Sequence, residues 1–554
     1  MKFSSIPQLA RNANRLREVV TILSKYGLAD WISRLDLDFA KALFKGPEGD
    51  PLADLTREQR IRLALGELGP TFIKLGQILS TRADIIGQAL AEELTHLQAD
   101  APADAPEQVR KTIESELGCP LEKVFAEFSD APLASASIGQ VHLAKLHDGS
   151  VVVVKVQHAG IEDKVRNDLE ILVGMAELAE VHVAELKNYR PRQTAADLQR
   201  SLRRELDFGR EERNLLQFRA QFAKETCVHF PVPVRACSTS RVLVMEYLDG
   251  VKVADSERLG ASGYDLSALA RRGAELFLKM IFENGFYHAD PHPGNILILE
   301  GGVIGLIDSG MVGRIDESTR EQIEDMLAAL AGRDAMRLAQ IITRIGSVPS
   351  DLDLPGLEYD VSEFIAHYAD QPLNEFDLGG ALAEMTEIIR RYSIVLPAGV
   401  ALLIKVLIML EGTARLLNPQ FNLTELIEPY QRKLIMRRLS PMRQWRKLRR
   451  VFAEWQHLGE VLPKGVSDIL TQVQAGRFEI HLQHRSLEPS VNRLVLGMLA
   501  SALFLGSSWL WSNNVEPTVW GVSVFGVAGC AMSFILGLRL MRAIAKSGHL
   551  DQRE

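Results

Sequence analysis

Two carboxylates and an amide gather in one short stretch of this 554-residue chain. Phe286-Tyr-His-Ala-Asp-Pro-His-Pro-Gly-Asn295 precedes two apolar runs, Ile296–Leu299 and Val303–Ile307, and Asp308-Ser-Gly310 closes the stretch. Glu300-Gly301-Gly302 is turn chemistry between the runs, so the stretch reads as a hairpin. A hairpin brings its ends together, which places Asp290 and Asn295 on a loop with Asp308 returning beside them. Carboxylate and amide oxygens suit a hard ion such as Mg²⁺. An Asp near the acceptor, an Asn five residues later on metal, and an Asp-x-Gly after a strand–turn–strand are the parts of a phosphoryl-transfer site. Two other readings stay open: a surface hairpin with ordinary loops, and a transition-metal site of His288, Asp290 and His292.

Phosphate chemistry needs a cation and a cradle, and both lie upstream. Pro132-Leu-Ala-Ser-Ala-Ser-Ile-Gly-Gln-Val-His142 leads into Leu143–Leu146, a turn at Asp148-Gly149 and a strand at Val151–Val156. Small side chains in such a loop let backbone N–H groups approach phosphates. The second strand is apolar except for Lys155. A buried Lys needs an anionic partner, and ATP phosphates with a helix Glu are one solution. An edge-strand Lys reaching water is the alternative. A helix from Ile161 to about Leu186 follows. One further helix then carries Arg204-Glu-Leu-Asp-Phe-Gly-Arg-Glu-Glu-Arg-Asn214. On it Glu211 shares a face with Leu215, Phe218 and Phe222; Glu205 and Asp207 read locally as solvated charges. Arg241–Tyr247, which contains Glu246, fits the strand and hinge that meet an adenine ring.

The remaining elements frame these. Apolar residues make up 47% and charged residues 24%, a globular profile, and the length demands two or three domains. A net charge of −8 argues against a nucleic-acid partner. Cys119, Cys227, Cys237 and Cys530 form no C-x-x-C pair, which fits a reducing compartment without structural zinc. Met1–Arg17 lacks the continuous apolar core of a secretory signal. The N-terminal region is helical, with a stripe of Val19, Ile22, Leu23 and Tyr26 and a break at Asp50-Pro51. Gly69-Pro70 opens a helix on which Lys74 and Gln77 share a face; by sequence that face is solvated. Asp100 to Pro106 reads as a linker, and a short helix runs from there to about Phe128. After Asp308 the chain is almost all helix, including Val395–Leu410, apolar but for Lys405. Arg432–Arg450 is basic and fits a surface for anionic lipid. Leu494–Ser512 and Thr518–Leu538 are uncharged and long enough to span a bilayer. Flanking Arg493, Arg539, Arg542 and Lys546 put both outer ends in the cytoplasm. A buried helical hairpin is the alternative.

Assembled, these motifs resemble the UbiB family of atypical kinase-like proteins over roughly Leu55 to Leu423. Lys74-Leu-Gly-Gln77 resembles its K-x-G-Q signature. Ala134-Ser-Ala-Ser-Ile-Gly-Gln-Val141 resembles its Ala-rich nucleotide loop, with Ser135 where Ala is common. Glu205-Leu-Asp207 resembles its E-x-D motif. The resemblance implies an α+β, two-lobed protein-kinase-like fold with a helical extension over residues 1–105. The lobes would cover 106–250 and 251–430, a basic segment 431–490, and a transmembrane hairpin 491–540. It implies ATP and Mg²⁺ as cofactors. Leu133, Ala134, Ser135, Ala136, Ser137, Ile138, Gly139, Gln140, Val141, Lys155 and Glu246 would meet the nucleotide, and Lys155 and Glu211 would form an ion pair. Asp290 would be the catalytic acid, Asn295 and Asp308 the metal ligands, and Lys74, Gln77, Glu205 and Asp207 a lid over the site. The implied role is support of ubiquinone or related prenylquinone synthesis at the bacterial inner membrane. A prenylquinone precursor or other lipid, the membrane and other quinone-synthesis enzymes are the implied partners. The residues argue against an ordinary protein kinase: Ala289 replaces the Arg of His-Arg-Asp, no Ala-Pro-Glu follows Asp308, and helix resumes by about Glu317. A non-catalytic nucleotide-binding scaffold or lipid-extracting chaperone is the rival reading.

Overall fold

The structure is a computed structural model that describes residues 13–28, 55–97, 102–182, 190–369, 371, 377–427, 487–513, 515–519 and 522–545. The chain divides into two compact units, Met1–Gln444 and Trp445–Glu554. The basic segment Arg432–Arg450 lies outside the described residues, as does the break expected at Asp50-Pro51.

The first unit begins with a helical extension: α1 (Ala13–Lys25), α2 (Arg57–Leu68), α3 (Pro70–Leu79), α4 (Ala83–Ile86) and α5 (Gln88–Thr95). Thr56 and Gln59 close a capping box at the start of α2. Gly69, at φ +95°, ends α2, and Pro70 occupies the first turn of α3. Val19, Ile22, Ala64, Leu68, Phe72 and Leu75 make the core of this layer. Gly76 is there for packing: a Cβ on it would collide with Leu97.

The first lobe follows: α6 (Pro106–Leu117), α7 (Leu121–Val124), β1 (Phe125–Ser135), β2 (Gly139–Leu146), β3 (Val151–Gln157), α8 (Ile161–His182), α9 (Pro191–Glu205), α10 (Phe208–Gln221), β4 (Val228–His229) and β5 (Val242–Glu246). One antiparallel sheet has the order β1-β2-β3-β5. Strand β3 is therefore central, which overturns the edge-strand reading of Lys155. Alternation sorts its side chains. Val152, Val154 and Val156 pack under α6 with Val109 and Ile113, while Val153 belongs to the core of Phe208, Leu215 and Phe218.

Two expectations fail here for the same reason. The helix expected to reach Phe128 stops at Leu117, at a left-handed Gly118, and the short α7 that follows ends at Val124 because Phe125 enters the sheet opposite Leu146. The helix expected across Arg204–Asn214 is two helices, broken at Leu206–Asp207, because the Phe208 N–H leaves helical pairing to donate to the Ser240 carbonyl (2.9 Å). Tertiary pairing overrides helix propensity at both places.

The second lobe contains β6 (Gly250–Lys252), α11 (Ser256–Ala261), α12 (Leu266–Leu278), β7 (Phe286–His288), β8 (Ile296–Leu299), β9 (Ile304–Leu306) and β10 (Val312–Arg314). The expected hairpin is β8–β9, inside a sheet of order β4-β9-β8-β6, and β7 pairs with β10. Helices α13 (Glu317–Ala331), α14 (Ala335–Ile345), α15 (Leu354–Ala369), α16 (Leu378–Arg391) and α17 (Ala398–Leu417) complete the unit. Leu338, Ile342, Leu357, Val361, Met385 and Ile389 form their own core. The far half of α17 (Val406, Leu410, Ala414) packs into the second lobe.

In the second unit, α18 (Leu487–Ser512) and α19 (Val524–Ala545) pack against each other, and the Ser533 hydroxyl donates to the Ala500 carbonyl at 2.9 Å. Both are long and apolar enough to cross a membrane, over Leu494–Ser512 and Val524–Arg542. Their apolar side chains, Leu499, Leu505, Phe534 and Ile535 among them, face outward, which disfavours a buried hairpin. The second stretch starts later than Thr518, because Thr518 and Val519 pair as β11 with β12 (Val522–Ser523) before the helix begins. Full-length protein is expected to need detergent for extraction from membranes, and a chain ended at Pro489 to lose that need. Recovery of full-length protein in the aqueous fraction without detergent would place α18 and α19 in a soluble setting.

Candidate active site

Lys155 is where the two lobes meet. It is four residues along a central strand, on the face that looks toward α10. Its ammonium lies 2.8 Å from Glu211 Oε2 and 3.6 Å from Asp308 Oδ1. It also lies 5.2 Å from the centre of the Phe208 ring. Glu211 sits on the buried stripe of α10 with Phe208, Leu215 and Phe218. Burial pushes the Glu211 carboxyl up, against the pull of Lys155. Burial also works against the charge on Lys155, but Asp308 and Glu211 outweigh it and hold its proton affinity above an ordinary lysine. Lys155 in turn draws the Asp308 carboxyl below the usual range, helped by Lys74 and the Gly310 N–H and opposed by burial. The Asp308 side chain is 52% exposed, so water screens its pairing and the Lys155–Glu211 contact is the stronger of the two.

Asp308 is held at φ +59°, a conformation Asp tolerates better than most residues. Its Oδ1 accepts from Gly310 N–H at 3.2 Å, and its carbonyl meets His288 Nε2 at 2.9 Å. His288 Nδ1 accepts from the Asp290 N–H at 3.2 Å, which leaves Nε2 as the donor. One buried imidazole thus spans the Asp290 loop and the Asp308 turn. Asn295 Nδ2 donates to Asp290 Oδ2 at 2.7 Å, and the Asn295 carbonyl accepts from Ile307 N–H at 3.1 Å. Asp290, Asn295 and Asp308 therefore share one end of the β8–β9 hairpin.

The transition-metal reading fails on this geometry. Both nitrogens of His288 are committed to backbone, and His292 Nδ1 accepts from Gly294 N–H. Among the described residues no three His, Cys, Asp or Glu gather as a metal cluster. The hard-ion set fits better. Bonding to Asp290 uses the amide nitrogen of Asn295, so its oxygen could serve as a ligand together with the carboxylate of Asp308.

The stretch from Leu133 to Val141 is the end of β1, a tight turn over residues 136–138 and the start of β2. Ala134 pairs with Val141 and Ser135 with Gln140; Ala136 N–H donates to the Gly139 carbonyl at 2.8 Å. His158 straps it from below, with Nε2 on the Ala136 carbonyl and its N–H on that of Ile138. Gly139 must be glycine here, since a Cβ would lie 2.5 Å from the Val156 carbonyl oxygen. The hydroxyls of Ser135 and Ser137 are buried without a hydrogen-bond partner, and Leu133 is exposed. Unfilled hydroxyls beside a loop of small residues fit an oxygen-rich ligand. Glu246 ends β5, but its carboxylate is turned to His229 and the Val232 N–H.

The extension reaches the same cluster. Lys74 Nζ lies 3.3 Å from Glu205 Oε2. Burial opposes its charge, yet Glu205 and Asp308 outweigh that and raise its proton affinity. The solvated-face reading of Lys74 is thus wrong. The other expected members separate from it. Asp207 pairs with Arg213 at 3.1 Å, because the break before α10 turns it away, and Gln77 Nε2 donates to the Leu97 carbonyl within the extension.

A family model for an ABC1 atypical kinase-like domain matches residues 96–342, one for a UbiB helical domain 361–422, and one for an ABC1/UbiB kinase-like C-terminal domain 479–546. A probable protein kinase UbiB of Aeromonas salmonicida is 31% identical over 549 residues, covering 94% of this chain and 97% of its own. The chain belongs to the UbiB family. Another relative, the probable protein kinase UbiB of Marinobacter nauticus, is 34% identical over 437 residues, 77% of this chain and 78% of its own. Among solved structures, the Rv3197–erythromycin complex of Mycobacterium tuberculosis overlaps 66% of this chain and 93% of its own at 25% identity, with a TM-score of 0.46.

In this UbiB-family chain three positioning residues escaped the sequence reading. In the sequence His288 reads only as a metal ligand. Asn214 Nδ2 donates to the Ser309 carbonyl at 2.9 Å and so ties α10 to the Asp308 turn. Lys405 Nζ donates to Ser80 Oγ at 3.0 Å, from α17 to the end of α3. Lys405 alone carried a signal, as the single charge in an apolar helix. Replacing Lys155 with Met strands two carboxylates, whereas Glu211→Gln leaves Lys155 with Asp308. Lys155→Met is expected to cost about 3 kcal/mol and Glu211→Gln less. Urea unfolding of the two variants checks the order, and equal costs would remove Asp308 from the network.

Proposed function

We propose that this protein binds Mg²⁺-ATP in the cleft around Lys155 and turns it over in support of ubiquinone or related prenylquinone synthesis at the bacterial inner membrane. The observation that carries the reading is the charge cluster of Lys155, Glu211 and Asp308, with Lys74 and Glu205 set against it from the extension.

In this reading Glu211 fixes the Lys155 ammonium toward the phosphates, and the turn from Leu133 to Val141 receives them with its N–H groups and the hydroxyls of Ser135 and Ser137. Asn295 and Asp308 would hold Mg²⁺, which neutralises phosphate charge when bound. Asp290, oriented by the Asn295 amide, accepts the proton of an attacking hydroxyl or water at its carboxylate. The acceptor is a small molecule or lipid, or water itself. Protein substrates are disfavoured by the short passage from Asp308 to α13 and by buried Ala289 in place of an arginine. Helix α3, pinned by Lys74, lies where its charge reaches Asp308.

Asp308→Asn is expected to reduce Mg²⁺-dependent stabilisation by ATP in thermal unfolding while the ligand-free midpoint stays close to wild type. An unchanged Mg²⁺-dependent shift would move the metal elsewhere. Lys74→Ala is expected to lower quinone content in complemented deletion cells without unfolding the protein. Full complementation, with ATP turnover at the wild-type rate, would leave the Lys74–Glu205 pair a merely structural contact.

A further inference from the structure

A cavity of about 330 Å³ adjoins the Asp290 loop. It is walled by the extension from Ser80 through α4 and α5, by one stripe of α17, and by Thr386 of α16, Leu396 and His292. Ala401, Ile404, Lys405 and Ile408 recur three and four apart on α17, and Ala91 lines the opposite side. Lys405 is the cation of this lining. Its ammonium has three donors, and the partner it has found is the neutral hydroxyl of Ser80, which itself donates to the Gln77 carbonyl at 2.6 Å. No carboxylate pairs with Lys405 among the described residues. Burial lowers its proton affinity, Asp290 raises it only in part, and Lys74 lowers it further. The acids of the wall do not fill the gap. Asp84 is held by two bonds from Arg82, and Glu92 accepts from Gln88. A partly buried cation with unfilled donors therefore borders an apolar space.

We propose that this cavity binds a monoanionic amphiphile, with one carboxylate on Lys405 and Ser80 and an apolar body against Ala91, Ile404 and Ile408. One unpaired positive charge matches one negative charge. A dianionic phosphate would leave a charge uncompensated beside Asp84 and Glu92. A cavity of about 150 Å³ accepts benzene, so roughly twice that volume admits a ring with a short chain. Occupancy needs neither nucleotide nor phosphoryl transfer, so this site stands or falls apart from the function proposed above.

The test is calorimetric titration of the full-length protein in nanodiscs, without nucleotide. The probes are 4-butylbenzoate and its neutral isostere 4-butylbenzyl alcohol. Wild type is expected to bind the benzoate about tenfold more tightly than the alcohol. Lys405→Met should weaken benzoate about tenfold and the alcohol by less than about threefold, while Lys405→Arg keeps most of the benzoate affinity. Ile408→Trp fills the space and should abolish binding of both. Equal affinity for the two probes in wild type overturns the proposal, whether or not the variants fold. So does benzoate binding unchanged by Lys405→Met or by Ile408→Trp.

Discussion

A lysine ammonium on a central strand must be neutralised, and much of the first unit follows from that constraint. Strand β3 cannot carry Lys155 inward unless α10 brings Glu211 across to it. Helix α10 can do so because its apolar stripe is buried against the sheet and the second lobe, so Glu211 goes where Leu215 and Phe218 go. Asp308 supplies the second carboxylate from the far end of the β8–β9 hairpin. The charge pair and the core are therefore one arrangement, and each depends on the register of the other.

The extension is fastened by the same logic applied three more times. Arg15 reaches the buried carboxylate of Asp168 at 2.7 Å. Arg82 and Asp84 bond each other and exchange further bonds with the backbone of Leu396, whose N–H donates to Asp84 at 3.0 Å. Lys405 reaches Ser80. Partly buried polar contacts of this kind discriminate more than they stabilise, since an imperfect fit leaves groups unpaired. They hold α3 to the rest of the unit, and Gly76 lets α3 pack closely on Leu65 and Leu97 within the extension.

The legible part of this architecture was the part with local period. The apolar run Val151–Val156, broken by Lys155, and the stripe Glu211, Leu215, Phe218 marked both residues as inward-facing, while their pairing came from the family resemblance; the turn at Glu300–Gly302 predicted the hairpin that carries Asp308. The break at Leu206–Asp207 was not legible, because Glu, Leu and Arg favour helix on both sides and the competing partner is the distant Ser240 carbonyl. Lys74 on its own helix looks like any solvated lysine; only the family resemblance directed it to acids. The link between Lys405 and Ser80 spans 325 residues, and nothing local to either announces the other.

Helix α3 is covalently part of the chain it packs on, and Arg82 and Asp84, just past its end, are bonded to the Leu396 backbone independently of Lys74. It therefore behaves as an intramolecular ligand at an effective concentration on the millimolar scale. In the function proposed above, an incoming protein would have to displace that resident at every encounter. Under that proposal, selection between large and small substrates would be a matter of mass action within one chain, with no specific contact needed to reject the larger class.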